Sequence, residues 1–122
     1  MDTDSSVVLT KKVTITSPNP VTKEDFVDKI GEIARNIGDF LKKNGCTKLG
    51  HMNFISTTDG EDCLQLSVRE IGQGPKINGI LKKTFEKIKL TLNIIEFGVS
   101  KEEIDRKINE EIKNIQSYFD NK

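Results

Sequence analysis

Apolar positions along this chain follow two periods, and the changes of period mark its elements. Over residues 6–17, "SVVLTKKVTITS", Val7, Leu9, Val13 and Ile15 share one face, and Thr10, Lys12, Thr14 and Thr16 share the other. This is the alternation of a half-buried strand. Lys11 interrupts the inner face and predicts a strand in two short pieces. Pro18-Asn19-Pro20 predicts its end, because proline has no N–H for a ladder.

The period then lengthens. Phe26, Ile30, Ile33, Ile37, Phe40 and Leu41 recur at three- and four-residue spacings, the stripe of an amphipathic helix. Thr22 with Asp25 forms its capping box, and Gly45 supplies the stop after Lys42 and Lys43. Gly31 and Gly38 lie inside the helix beside Ala34, on the flank of the stripe. Each glycine costs about 0.8–1 kcal/mol against alanine there. We expect close approach by the closing helix at this flank.

Alternation returns in "TKLGHMNFISTTDGEDCLQLSVREI", residues 47–71, where Asp-Gly between alternating segments signals a hairpin. A turn over Asp59-Gly60-Glu61 pairs Met52 with Val68, Phe54 with Leu66 and Ser56 with Leu64, gathering the apolar side chains on one face. The other face then carries His51 opposite Arg69, Asn53 opposite Ser67, and Ile55 opposite Gln65. Slipping by one residue would bury His51 and Asn53, so burial selects the first register. Residues 72–87 predict a loop with a short, weak helix: Ile77, Ile80, Leu81 and Phe85 have helical spacing, but Asn78-Gly79 interrupts. A last strand follows in "KIKLTLNIIEFG", with Ile88, Leu90, Leu92 and Ile94 inward and Ile95 and Phe97 on the other face. Ser100 with Glu103 caps a closing helix striped by Ile104, Ile108, Ile112, Ile115 and Phe119.

The order is β-α-β-β-(α)-β-α. It predicts an α+β domain over residues 6–120, after a disordered N-terminus at 1–5. The expected architecture is a four-stranded, mainly antiparallel sheet with two main helices on one face.

Composition narrows the chemistry. The 122 residues are 34% hydrophobic and 31% charged, with Lys+Arg 19 balanced by Asp+Glu 19. A zero net charge supplies no bulk field for nucleic acid, so no nucleic-acid partner is expected. No apolar run reaches the ~20 residues of a membrane span, and acidic residues precede the first short apolar run, unlike a signal peptide. A cytoplasmic protein with free thiols is expected. Cys46, His51 and Cys63 suggest a metal site. In the hairpin register, however, the two cysteines lie about ten steps apart along the ladder, over ~30 Å at ~3.3 Å per step. No metal site, cofactor site or catalytic set is expected, and no phosphate-loop pattern is present. Lys76, Lys82 and Lys83, within a basic run that continues to Lys87 and Lys89, form a candidate anion-binding segment.

The segments "VTITSPNP", "FLKKNGCTKLGHMNFISTTDGEDCLQLSV" and "IKLTLNIIEFGVSKEEI" resemble the C-terminal domain of CobW-like GTPases, proteins tied to cobalamin synthesis and metal-centre assembly. The resemblance spans about residues 11 to 115 and centres on Gly50-His51 and the Thr91–Gly98 strand. The family often has a lysine two residues after that histidine, where this chain has Asn53. The resemblance implies a non-enzymatic, stand-alone accessory domain without GTP hydrolysis that assists metal- or corrinoid-cofactor protein assembly. An alternative is a small-molecule or anion-binding protein using residues 76–89 and the exposed sheet face. The candidate interaction residues are His51, Asn53, Ile55, Ser67, Arg69 and Phe97, facing a protein partner or a second copy in a homodimer.

Overall fold

The first alternating segment forms one long strand. In the computed structural model, which describes residues 6–122, β1 runs Val7–Thr22 and pairs antiparallel with β5, Thr84–Phe97. Lys11 does not divide it. Its side chain stays on the inner face and reaches Asp105 of the closing helix at 2.7 Å. Pro18 and Pro20 do not end it either. β1 is an edge strand, and its register shifts between Thr16 and Val21, so the prolines lie where no ladder N–H is required. The disorder expected for residues 1–5 falls outside the described residues.

Helix α1, Lys23–Lys43, is capped by Thr22, whose hydroxyl accepts from the Asp25 N–H at 3.1 Å. Helix α2, Lys101–Asp120, is capped in the same way by Ser100. Both stripes pack on one face of the sheet, burying Phe26, Ile30, Ile37 and Leu41 from α1 and Ile104, Ile108, Ile115 and Phe119 from α2. Between the helices, Asn36 donates to the buried Glu111 at 2.8 Å, and the Tyr118 hydroxyl donates to Asp25 at 2.9 Å.

The sheet has five strands in the order β1-β5-β2-β3-β4, all antiparallel, with β2 at Lys48–Thr57 and β3 at Cys63–Val68. The hairpin has the predicted register: Met52 faces Val68, Phe54 faces Leu66 and Ser56 faces Leu64. The fifth strand corrects the expected loop and weak helix. β4, Lys76–Ile80, pairs along the free edge of β3 from Ser67↔Lys76 to Cys63↔Ile80. All five of its residues are exposed, so no two-residue burial period marks it. β5 accordingly starts at Thr84, earlier than the hydrophobic alternation suggested.

A second correction concerns α1. Gly31, Ala34 and Gly38 do not meet α2. They line an apolar cavity of about 170 Å³ floored by Leu49, Met52 and Val68 and closed by the loop at Ile71–Pro75. A Cβ on Gly38 would meet the Ile71 Cγ2 at 3.9 Å, and one on Gly31 would meet the Arg35 Nη1 at 3.9 Å. These are ordinary contacts, not the close helix approach expected.

Candidate binding face

With both helices on one side, the other face of the sheet is open. Its outward residues form cross-strand rows. One runs Val8, Ile95, His51, and the next runs Thr10, Asn93, Asn53, Ser67, Lys76. A third runs Lys12, Thr91, Ile55, Gln65, Asn78, and a fourth runs Thr14, Lys89, Thr57, Cys63, Ile80. Lys48 and Phe97 pair at one end. His51, Asn53, Ile55, Ser67 and Phe97 are all half-buried on this face. His51, Asn53, Ser67 and Arg69 line one shallow depression of about 450 Å³, together with Gly50 and Gln65. Ile55 stands in the next row, and Phe97 at the rim.

Gly50 sets this geometry. The β2–β5 register shifts between Leu49 and His51, so Leu49 points to the core and His51 points outward with one residue unpaired between them. A Cβ at Gly50 would lie 3.0 Å from both the Cγ2 and the carbonyl oxygen of Ile95. A larger residue there would have to push Ile95 away by a few tenths of an ångström.

The polar centre is internally ordered. Asn53 Oδ1 accepts from Gln65 Nε2 at 2.9 Å and from Ser67 Oγ at 3.0 Å. Across the β2–β5 ladder, Asn93 Oδ1 accepts from Thr10 Oγ1 at 2.8 Å. Sequence reasoning missed Asn93 and Gln65 as site residues, although alternation places both outward.

The face is also electrostatically one-sided, which the zero net charge concealed. Lys12, Lys48, Lys76, Lys87 and Lys89 occupy outward strand positions, and Arg69 follows β3. No carboxylate shares an outward ladder position among the described residues. Glu86 lies where β1 and β5 change register, and Glu96 points inward with 0% exposure.

Lys76, Lys82 and Lys83 of the 76–89 segment are spread over the two ends of β4. Lys76 stands beside Ser67, whereas Lys82 lies beyond the far end of β4. There its backbone N–H donates to Asp62 Oδ2 at 3.2 Å and its Nζ to the Asp59 carbonyl at 2.6 Å. Lys83 is exposed in the same connection, its carbonyl accepting from the Lys23 N–H at 2.9 Å. At ~3.3 Å per residue, the six steps from Lys76 to Lys82 span at most about 20 Å.

Glu96 is the one buried carboxylate that the strands supply. Its Oε1 accepts from the Val99 N–H at 2.9 Å, and its Oε2 has no partner among the described residues. Burial pushes its pKa above the usual carboxylate value, although the Val99 N–H and the neighbouring Cys46 thiol favour the charged form. Burial also pushes up the Cys46 thiol, and the adjacent Glu96 charge adds to that shift. Such a thiol stays protonated and is a poor nucleophile. Cys46 and Cys63 are both free. The described residues contain no cluster of three or more His, Cys, Asp or Glu arranged to hold a metal ion. They also contain no helix long and apolar enough to cross a membrane.

No protein-family profile matches the chain, and no curated protein matches it. Among solved structures, it is similar to a Zn(II)-bound triple mutant of the YjiA GTPase, at 12% identity and a TM-score of 0.43. The match covers 84% of this chain and 29% of that one, so the chain corresponds to under a third of the GTPase. A likeness this loose carries no weight for function.

Proposed function

We propose that this chain is a non-enzymatic docking module whose open sheet face receives an acidic segment of another protein. The observation that carries the reading is the segregation of charge. A chain with as many carboxylates as cations turns lysines outward across four of its five strands and keeps carboxylates off those positions. Unscreened like charges repel one another, and an acidic partner relieves that repulsion while steering its own approach. A second copy meeting this face across a two-fold axis would bring lysines against lysines. Charge therefore favours a different, acidic partner over a homodimer here. Single-stranded nucleic acid fits less well, because stacking platforms need aromatic side chains and, among the described residues, Phe97 at one end is the one Phe, Tyr or Trp on an outward ladder position. The CobW-like sequence resemblance leads to the same general role. Within it, we place the module in the cytoplasm, assisting assembly of a metal- or corrinoid-cofactor protein.

Fluorescence anisotropy with a labelled oligoglutamate peptide tests the reading. Exposed ion pairs contribute about 0.2–1 kcal/mol each. Reversing both Lys12→Glu and Lys89→Glu should then weaken binding by roughly 5- to 30-fold, about 1–2 kcal/mol. Binding should also fall steeply as salt shortens the Debye length to ~8 Å. Lys101→Glu with Lys113→Glu, on α2, should leave it unchanged. Equal losses from both pairs would reject the sheet face as the docking surface.

A further inference from the structure

The centre of the open face has a feature that bulk charge does not explain. Asn53 and Asn93 stand opposite each other on β2 and β5. Asn53 turns its carboxamide oxygen toward β3, where Gln65 and Ser67 both donate to it. Asn93 turns its oxygen the other way, toward Thr10 on β1. A carboxamide carries its N–H₂ on the side away from its oxygen. Neither amide nitrogen has a protein acceptor among the described residues, and the ladder sets the two side chains next to each other across the seam between β2 and β5. Two carboxamide N–H₂ groups without protein acceptors thus stand beside one strip of surface. On the β3 side of Asn53, His51, Gln65, Ser67 and Arg69 line the shallow depression that adjoins this strip, and Lys76 ends the row beyond Ser67. Asn53 Oδ1 and Asn93 Oδ1 are both engaged by other donors.

From this arrangement we infer that the seam is an oxyanion site whose occupant is a phosphorylated side chain on the acidic partner. The inference rests on the docking reading above and names the group recognised. A carboxylate offers two oxygens and one charge. A phosphate monoester offers three peripheral oxygens and about 1.5–2 negative charges near neutral pH. The paired amides match the oxygens, while the Arg69 fork and the surrounding lysines match the charge. With no carboxylate on the outward rows, nothing near the seam repels a dianion. Its shallow, open form also suits a side chain presented from an extended segment better than an enclosed metabolite.

The test compares three peptides of one acidic sequence, carrying phosphoserine, glutamate or serine at a central position. Binding to the intact chain is measured by calorimetry at constant ionic strength. The phosphoserine peptide should bind at least tenfold more tightly than the glutamate peptide. During its titration, the side-chain N–H₂ resonances of Asn53 and Asn93 should shift and saturate. Asn53→Ala with Asn93→Ala should erase the phosphoserine preference, leaving the phosphoserine and glutamate peptides bound with equal affinity. If that double variant does not fold, the wild-type amide resonances still decide the matter. Equal affinity for the phosphoserine and glutamate peptides, or unmoved Asn53 and Asn93 amides, would overturn the site and leave the docking reading standing. Inorganic phosphate shifting those amides without any phosphopeptide preference would overturn the partner assignment in favour of free phosphate. A single-stranded RNA oligonucleotide binding more tightly than the phosphopeptide would overturn it in favour of nucleic acid. Failure of all three peptides to bind would remove the docking reading together with the site.

Discussion

Replacing Gly31 and Gly38 with alanine should stabilise this protein, although both glycines are buried. Buried helical glycines commonly mark a place where another backbone comes too close for a Cβ. Here a Cβ at either position meets nothing nearer than 3.9 Å, the Ile71 Cγ2 at one and the flexible Arg35 guanidinium at the other. The steric cost is then close to zero, and the helix-propensity gain of about 0.8–1 kcal/mol per site is left intact. The sites are seven residues apart, ~10 Å along the axis, so their effects should add to about 2 kcal/mol. A new methyl group at 38 also takes up part of the 170 Å³ cavity, so this sum is a lower value. For a chain of this size, the gain corresponds to a rise in melting temperature of roughly 6–10 °C. Urea titrations with an unchanged m-value are the assay. A loss of stability in Gly38→Ala alone would refute the reasoning, because it would require a close neighbour at that flank.

Ser56→Ala should stabilise by about 1 kcal/mol in the same urea titration, since the Ser56 hydroxyl is fully buried without a partner; a loss of similar size would indicate a hidden acceptor. Gly98→Ala should cost more than ~2 kcal/mol, because Gly98 sits at φ +120 and a Cβ there would fall on the Gly45 carbonyl oxygen; a variant as stable as wild type would contradict this. Glu96 holds its proton more tightly folded than unfolded. Its contribution to stability is therefore fully present below about pH 4.5 and is lost as pH rises through its raised pKa. Glu96→Gln lacks that loss, so wild type should fall relative to the variant across this window in melts at stepped pH, and the opposite trend would refute the burial argument.

The parts of this fold that were legible in the sequence are those with one wet and one dry face. Strict alternation set the β2–β3 register, and the helical stripes with Thr22 and Ser100 set both caps. β4 was illegible because an edge strand exposed on both faces has no burial period, while Ile77, Ile80, Leu81 and Phe85 happen to mimic a helix. Pro18 and Pro20 misled because a proline's missing N–H is harmless on an edge with a register shift. The Gly31–Gly38 flank misled because sequence identifies a small residue but not what stands beside it. On the open face, alternation placed His51, Asn53, Ser67 and Arg69 together. The seam donor Asn93 and the lysine rows emerged only when five strands were laid side by side, since summed charge is blind to which face carries it. Glu96 was readable in principle, as the next inward position after Ile94.

The proposed docking surface is the open sheet face and not the helical face. Backbone amide chemical shifts, followed while an acidic peptide is titrated into the labelled chain, test this most directly. Shifts should be concentrated at Lys12, His51, Asn53, Ser67, Lys89 and Asn93, with α1 and α2 silent. Shifts concentrated on the helices or around the Gly31–Gly38 cavity, with the sheet rows unmoved, would contradict it.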